Sequence, residues 1–291
     1  MDGAIMIQIG DMSLHLINDS QIMSDAGGVF GLVPRALYKS YAMPDADNLL
    51  PSNHHCLYVE AHGKKILVDV GYGDKLTDKQ KAFLRFTPDG GRLLDALARL
   101  GVSPAEIDLV INTHLHNDHA GGNTAYAPDG EIVPVFPNAE YVVQRREYED
   151  AMRPNERTRA TYLPMNYQPL VERGQMRLLD GDTELLPGIF GIVTPGHTPG
   201  HMSIRFESGG QQVAFVCDMA TYAIHFERLG WMTAYDVEPL ITLETKRVWQ
   251  AWALETSALL IFPHDPFIPA GRLAQMEDGK PQIIKLEVDF V

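Results

Sequence analysis

Cysteine is nearly absent from this 291-residue chain, which carries only Cys56 and Cys217. Two distant cysteines form neither a disulfide framework nor a Cys-x-x-Cys metal knuckle. A chain this poor in cysteine is expected in a reducing, cytoplasmic setting. Long apolar runs are also missing. None approaches the ~20 residues that span a bilayer, so no membrane partner is expected. The first residues, MDGAIMIQIGD, lack a basic segment followed by an apolar one, so no secretory leader is expected. Positive charge is scarce: 24 Lys and Arg stand against 38 Asp and Glu, for a net charge of −14. Such a chain repels polyanions, which argues against a nucleic-acid partner. Repeats, low-complexity tracts and Gly/Ser linkers are lacking too, so residues 1–291 read as one domain. What is present is 45% hydrophobic and 21% charged. That ordinary globular balance excludes disordered, collagen-like and coiled-coil classes.

Along the chain, β-like runs alternate with helical windows. Strands are expected at 5–9, 13–17, 56–60, 65–70, 109–111, 140–144, 176–179, 189–193, 202–206, 213–217, 259–262 and 282–288. Gly63-Lys64 marks a hairpin between the third and fourth. Leu93, Leu94, Leu97 and Leu100 have helical spacing, with Gly101 as the stop. A longer helical window covers 239 to about 257. A Gly-, Met- and Pro-bearing loop is expected at about 20–52. An Arg-rich segment at about 145–170 reads as a short helix plus a lid-like excursion. Strands dominating both halves, with helices at intervals, predict two sheets between helices, an α/β sandwich.

The strongest chemical signal is Thr113-His114-Leu115-His116-Asn117-Asp118-His119, running straight out of the apolar strand 109–111. In extended backbone, side chains two apart point the same way, so His114 and His116 can hold one cation. Asp118 and His119 diverge unless the chain bends into a helix there, and they can hold a second. Gly121 and Gly122 follow, where a tight strand-to-helix turn would use permissive backbone. Three later positions complete such a site. His197 lies in Thr194-Pro195-Gly196-His197-Thr198-Pro199-Gly200-His201, with His201 read as an outer or structural residue. Asp218 ends the strand 213–217, where a carboxylate is otherwise unexpected and could bridge two cations. His264 follows the strand 259–262 in the same pattern. Imidazole and carboxylate together suit zinc, and also manganese, iron or cobalt.

The series His114-x-His116-x-Asp118-His119, His197, Asp218 and His264 resembles the metallo-β-lactamase superfamily, and Asp69-Val70-Gly71 is similar to its strand-end Asp-x-Gly. The resemblance implies an αββα sandwich with a two-metal site at one edge. By that likeness His114, His116 and His197 bind one divalent ion, zinc first. Asp118, His119 and His264 bind the second, and Asp218 bridges them. Within the superfamily, Gly27–Pro34 and Phe136–Glu140 are similar to the branch of N-acyl-homoserine lactonases and organophosphorus hydrolases. A homodimer is an expectation from that resemblance alone.

Two cations roughly 3.5–4 Å apart can share a water and lower its pKa from ~15.7 toward ~7. The bridging hydroxide then opens a small-molecule lactone or activated ester, in the manner of quorum-quenching lactonases. The leaving alkoxide needs a proton, from Asp118 or a nearby phenol. The family's lactonases place a tyrosine three residues after the bridging Asp; here Thr221 stands there and Tyr222 follows. Tyr222 is the expected phenol and His225 a weaker candidate. Met23, Phe30, Leu32, Phe226, Leu229 and Trp231 are candidates for an apolar wall. The runner-up reading is an organophosphorus or aryl-ester hydrolase on the same site. From another class comes an iron-dependent persulfide dioxygenase, which seven candidate ligands disfavour because it needs only one metal.

Overall fold

A computed structural model describes residues 6–88 and 91–287. The first sheet contains β1 (Ile7–Ile9), β2 (Met12–Asp25), β3 (Leu49–Ala61), β4 (Lys64–Val68) and β5 (Leu109–Ile111). A separate hairpin, β6 (Thr124–Tyr126) and β7 (Ile132–Pro134), intervenes before β8 (Glu140–Gln144) and β9 (Met176–Leu179) complete that sheet. The second sheet contains β10 (Thr183–Leu186), β11 (Ile189–Val193), β12 (Met202–Ser208), β13 (Gln211–Phe215), β14 (Leu259–Ile261), β15 (Ala270–Gln275) and β16 (Pro281–Lys285). Each of these two sheets has seven strands among the described residues. The helices are α1 (Ala26–Phe30), α2 (Arg35–Tyr38), α3 (Asp78–Leu84), α4 (Leu93–Arg99), α5 (Asn117–Ala120), α6 (Arg145–Met152), α7 (Gln168–Glu172), α8 (Ala223–Glu227) and α9 (Pro239–Thr256). Among the described residues no helix is long and apolar enough to cross a membrane.

The strands read as nearly continuous apolar runs because both sheet faces are covered. Leu57, Val59, Ile66, Val68 and Ile111 of the first sheet share one core with Ile204, Phe206, Val213, Phe215 and Ile261 of the second. Their neighbours one residue away point outward. Tyr58, Leu67, Val110 and Tyr141 lie with Leu93, Ala96 and Leu97 of α4. Ala214, Val216 and Leu260 lie with Trp249 and Ala253 of α9. The result is the expected αββα sandwich. Cutting a fully buried core residue such as Leu57 to Ala would cost about 2–5 kcal/mol.

The sequence expectations hold where periodicity is strong and shift at the element ends. The helix expected at 239–257 is α9, which stops at Ser257 in left-handed backbone (φ 52°). The strand expected at 5–9 is Ile7–Ile9, with Ile5 outside the described residues, and the one expected at 282–288 is Pro281–Lys285, with Val288 outside them. The segment read as a loop at 20–52 holds the end of β2, both α1 and α2, and the start of β3. The excursion at 145–170 begins as α6 and then runs irregularly from 153 to 163. Gly121 and Gly122 serve close approach rather than unusual backbone. A Cβ on Gly121 would meet the Tyr72 carbonyl oxygen at 2.3 Å, and one on Gly122 the Val70 carbonyl oxygen at 2.2 Å.

The topology brings four strand ends to one edge. β4 and β5 run parallel, as do β13 and β14. Their C-terminal ends deliver Asp69, the segment from Asn112 to His114, Asp218 and His264. Asp69 and Cys217 each turn off their strand in left-handed backbone, φ 53° and 50°, a conformation that costs energy in a non-glycine residue and clusters at functional sites.

Candidate metal centre

The predicted helical bend occurs: Asp118 and His119 sit on α5, while His114 and His116 precede it in the extended approach. Together with the 194–201 turn and the strand ends, this gathers all seven residues singled out from the sequence into two adjoining clusters. In the first, His116 Nδ1 lies 3.1 Å from both His114 Nε2 and His197 Nε2. In the second, His119 Nε2 and His264 Nε2 are 3.1 Å apart, with Asp118 Oδ2 at 3.5 and 3.7 Å from them. Asp218 stands between. Its Oδ2 is 3.2 Å from His197 Nε2, and its Oδ1 is 3.1 Å from His264 Nε2 and 3.5 Å from His119 Nε2.

The far ring nitrogens fix which atoms face inward. His264 Nδ1 donates to the Asn53 carbonyl at 2.7 Å, His119 Nδ1 to Asp69 at 2.9 Å, and His197 Nδ1 to Asp236 at 3.0 Å. The Thr113 hydroxyl donates to Asp69 and accepts from His114 Nδ1. These assignments leave the Nε2 atoms of His114, His119, His197 and His264 as lone pairs aimed at one another. Facing lone pairs repel unless protons or cations lie between them. Nitrogens bound to one zinc at 2.0–2.1 Å stand ~3.3 Å apart, so these separations fit a cation in each cluster. The donor set therefore suits two divalent ions.

Electrostatics agrees. Burial works against charge on His119, His197 and His264, but the surrounding carboxylates, Asp218 for all three with Asp118 beside His119 and His264 and Asp236 beside His197, together outweigh it and hold them above the usual imidazole range. Burial also opposes the Asp218 charge, yet His264, His119 and His197 hold that carboxyl well below its usual range. Burial, reinforced by neighbouring imidazoles, pushes His116 down to about 3.

Other residues enter the centre without a clear sequence signal. His54 of β3 is buried with Nε2 3.5 Å from Asp118 Oδ2; a histidine pair interrupting an apolar strand was the only hint. Asp236 gave none. Glu147 is fully buried and accepts from Leu115 N–H and the hydroxyls of Tyr162 and Thr198, tying the His114–His116 segment to the His197 turn. His201 is fully buried beside the centre without joining either cluster: Nε2 accepts from the Asp218 N–H, and Nδ1 meets Thr194 Oγ1. The Cys217 thiol lies in the inter-sheet core, against Thr113 Oγ1 at 2.9 Å.

A cavity of about 820 Å³ opens on the centre, lined by His54, His116, Asp118, His197, Asp218 and His264. Its apolar wall is Ile22, Met23, Val29, Leu49, Phe83, Leu84 and Val237. Of the residues expected there only Met23 takes part. Phe30 and Phe226 are buried in separate apolar clusters, and Leu32 is fully exposed. Tyr222 lines the cavity, with its hydroxyl donating to the Pro51 carbonyl at 2.7 Å. His225 bonds Thr221 Oγ1 behind the wall. Of the arginine set, Arg157 reaches the cavity and donates to the Ala234 and Asp236 carbonyls. Arg145 and Arg146 pair with Asp180 and Asp150 on the surface.

Residues 49–261 match the Metallo-beta-lactamase superfamily. An N-acyl homoserine lactonase from a Bacillus species is 30% identical over 221 residues, 72% of this chain and 80% of that protein. A probable metal-dependent hydrolase from Staphylococcus aureus is 27% identical, with a TM-score of 0.85 over 97% of this chain and 100% of that one. AidC, a dizinc quorum-quenching lactonase, shares the fold at 21% identity, with a TM-score of 0.78 over 98% of both chains. With its sandwich, its histidine and aspartate clusters and these matches, the chain belongs to the metallo-β-lactamase superfamily and is a metal-dependent hydrolase.

Proposed function

We propose that this hydrolase works with two divalent ions, zinc first, and opens lactone rings of the N-acyl-homoserine type. The observation that carries the reading is Asp218, whose two oxygens each face a different imidazole cluster at the floor of the cavity. His114, His116 and His197 would hold one ion, Asp118, His119 and His264 the other, and Asp218 both. When bound, such a pair supplies a water of lowered pKa and a Lewis acid for the substrate carbonyl. The protein's own groups do the rest. Asp69, Asp236 and the Asn53 carbonyl fix the ring orientations, so the donor atoms need no rearrangement. Asp118 is the one acidic side chain of the set that is partly open to the cavity. It is suited to hold the proton that passes to the leaving alkoxide. Tyr222 reaches that oxygen only by releasing Pro51; in the observed arrangement it closes the wall. The apolar wall suits an acyl chain, and the lactonase relatives favour a lactone over an aryl phosphotriester. Two clusters favour this chemistry over a one-iron persulfide dioxygenase.

The test is a rate comparison on one metal-reconstituted preparation. Proton release is followed with short- and long-chain acyl-homoserine lactones, and an aryl phosphotriester runs alongside. The expected result is a lactone kcat/KM above ~10⁴ M⁻¹s⁻¹ and a much slower phosphotriester. A faster phosphotriester would move the protein to the organophosphorus reading.

A further inference from the structure

We propose that His54 is a positioning residue of the second cation site, holding the Asp118 carboxylate in place from the cavity side. The proposal rests on the two-ion reading. Four donor atoms already surround the second site: His119 Nε2 and His264 Nε2, 3.1 Å apart, and Asp118 Oδ2 and Asp218 Oδ1, each 3.1–3.7 Å from those nitrogens. His54 Nε2 approaches Asp118 Oδ2 at 3.5 Å beside this foursome and lies with Asp118 and His264 in a group of donors within 4.8 Å of one another; with four donors already at the site, the role assigned to it is that of a partner to the Asp118 oxygen.

The fold aims it there. β2 and β3 lose register between Asn18 and Gln21, a bulge of the kind that re-aims side chains beside active sites. Asn18 Oδ1 accepts the His54 backbone N–H at 3.1 Å. Ser20, fully buried, sets its hydroxyl 3.4 Å from His54 Nδ1. With Ser20 donating to Nδ1, the proton resides on Nε2, pointing at Asp118; this tautomer is assigned from the hydrogen-bond network. The ring packs at steep angles against two neighbours, Tyr72 with centroids 4.7 Å apart and His264 at 4.9 Å. The same imidazole thus touches the carboxylate and packs on a second donor of the site.

Outer partners of metal ligands typically contribute 10–100-fold in metal affinity. The experiment titrates the metal-free chain with Zn²⁺ against a competing chelator, for the parent, His54→Phe and His54→Gln. Phe keeps the ring and removes the donor; Gln restores an N–H at a similar reach. The expected result is an unchanged first ion in all three, a second ion bound about 10–100-fold more weakly by His54→Phe, and recovery by His54→Gln. A change in packing alone would lower Tm without this selective loss or its recovery. Ser20→Ala should weaken the second ion in the same direction, which keeps the test decisive if His54→Phe folds poorly. The proposal is overturned if His54→Phe binds its second ion as tightly as the parent, or if Gln fails to restore it. A parent that binds a single ion overturns the two-ion reading itself, and is seen before any variant is compared.

Discussion

The two clusters of the centre differ in what holds them. The His114, His116 and His197 group is all imidazole, buried, and assembled from two loops tied together by Glu147. The group of Asp118, His119 and His264 draws on α5 and the ends of both sheets. Asn53 N–H donates to the His264 carbonyl and His55 N–H to the Pro263 carbonyl, so β3 grips the segment that bears His264. It also includes Asp118, whose side chain is 25% exposed. Both clusters border the cavity, but the first is the more buried anchor and the second, through Asp118, the more open side. Enclosure excludes water and strengthens electrostatics, whereas exposure admits substrate and leaves the site dependent on outer supports.

That contrast can be broken in order of expected effect. Asp218→Asn weakens the shared carboxylate and should disturb both ions, with kcat falling about a thousandfold or more, several kcal/mol of lost charge stabilisation. Metal content and initial rates check it. His264→Ala should empty the open site alone, leaving one ion per chain. A chain that still binds two would reject the division. Asp69→Asn and Asp236→Asn support His119 and His197 respectively. Each should weaken its own site about 10–100-fold, at opposite ends of the centre in a competitive Zn²⁺ titration. Stripping the metals should lower Tm, because ions that bind only the folded chain stabilise it. Tyr222→Phe should be the mildest, within about tenfold in lactone kcat, because its hydroxyl is engaged with Pro51. A larger loss would mean that the phenol reaches the leaving oxygen.

The ligand residues of both clusters were the legible part. His114, His116, Asp118 and His119 fall within six residues, so strand and helix geometry alone orders them. Asp218 and His264 were visible because a polar residue at the end of an apolar strand contradicts its surroundings. The sandwich was legible because two-sided burial leaves apolar runs in the sequence. The outer partners were not. His54 is aimed by a bulge in a neighbouring strand, and Asp236 reaches His197 through a loop pinned by Arg157. Neither arrangement leaves a periodic trace. The cavity wall failed for the same reason. Phe30 and Phe226 are apolar enough to line a pocket, but which apolar residues face a cavity and which face the core is decided by packing. α3 does carry a local signal, the Thr77 and Gln80 capping box that marks its start.

The role proposed for Asp218 is to join two cations. The most direct measurement is electron paramagnetic resonance of the chain titrated with Mn²⁺. Two ions per chain are expected, with the spectrum of a magnetically interacting pair that reverts to isolated ions in Asp218→Asn. One ion per chain, or two that do not interact in the parent, would contradict that role.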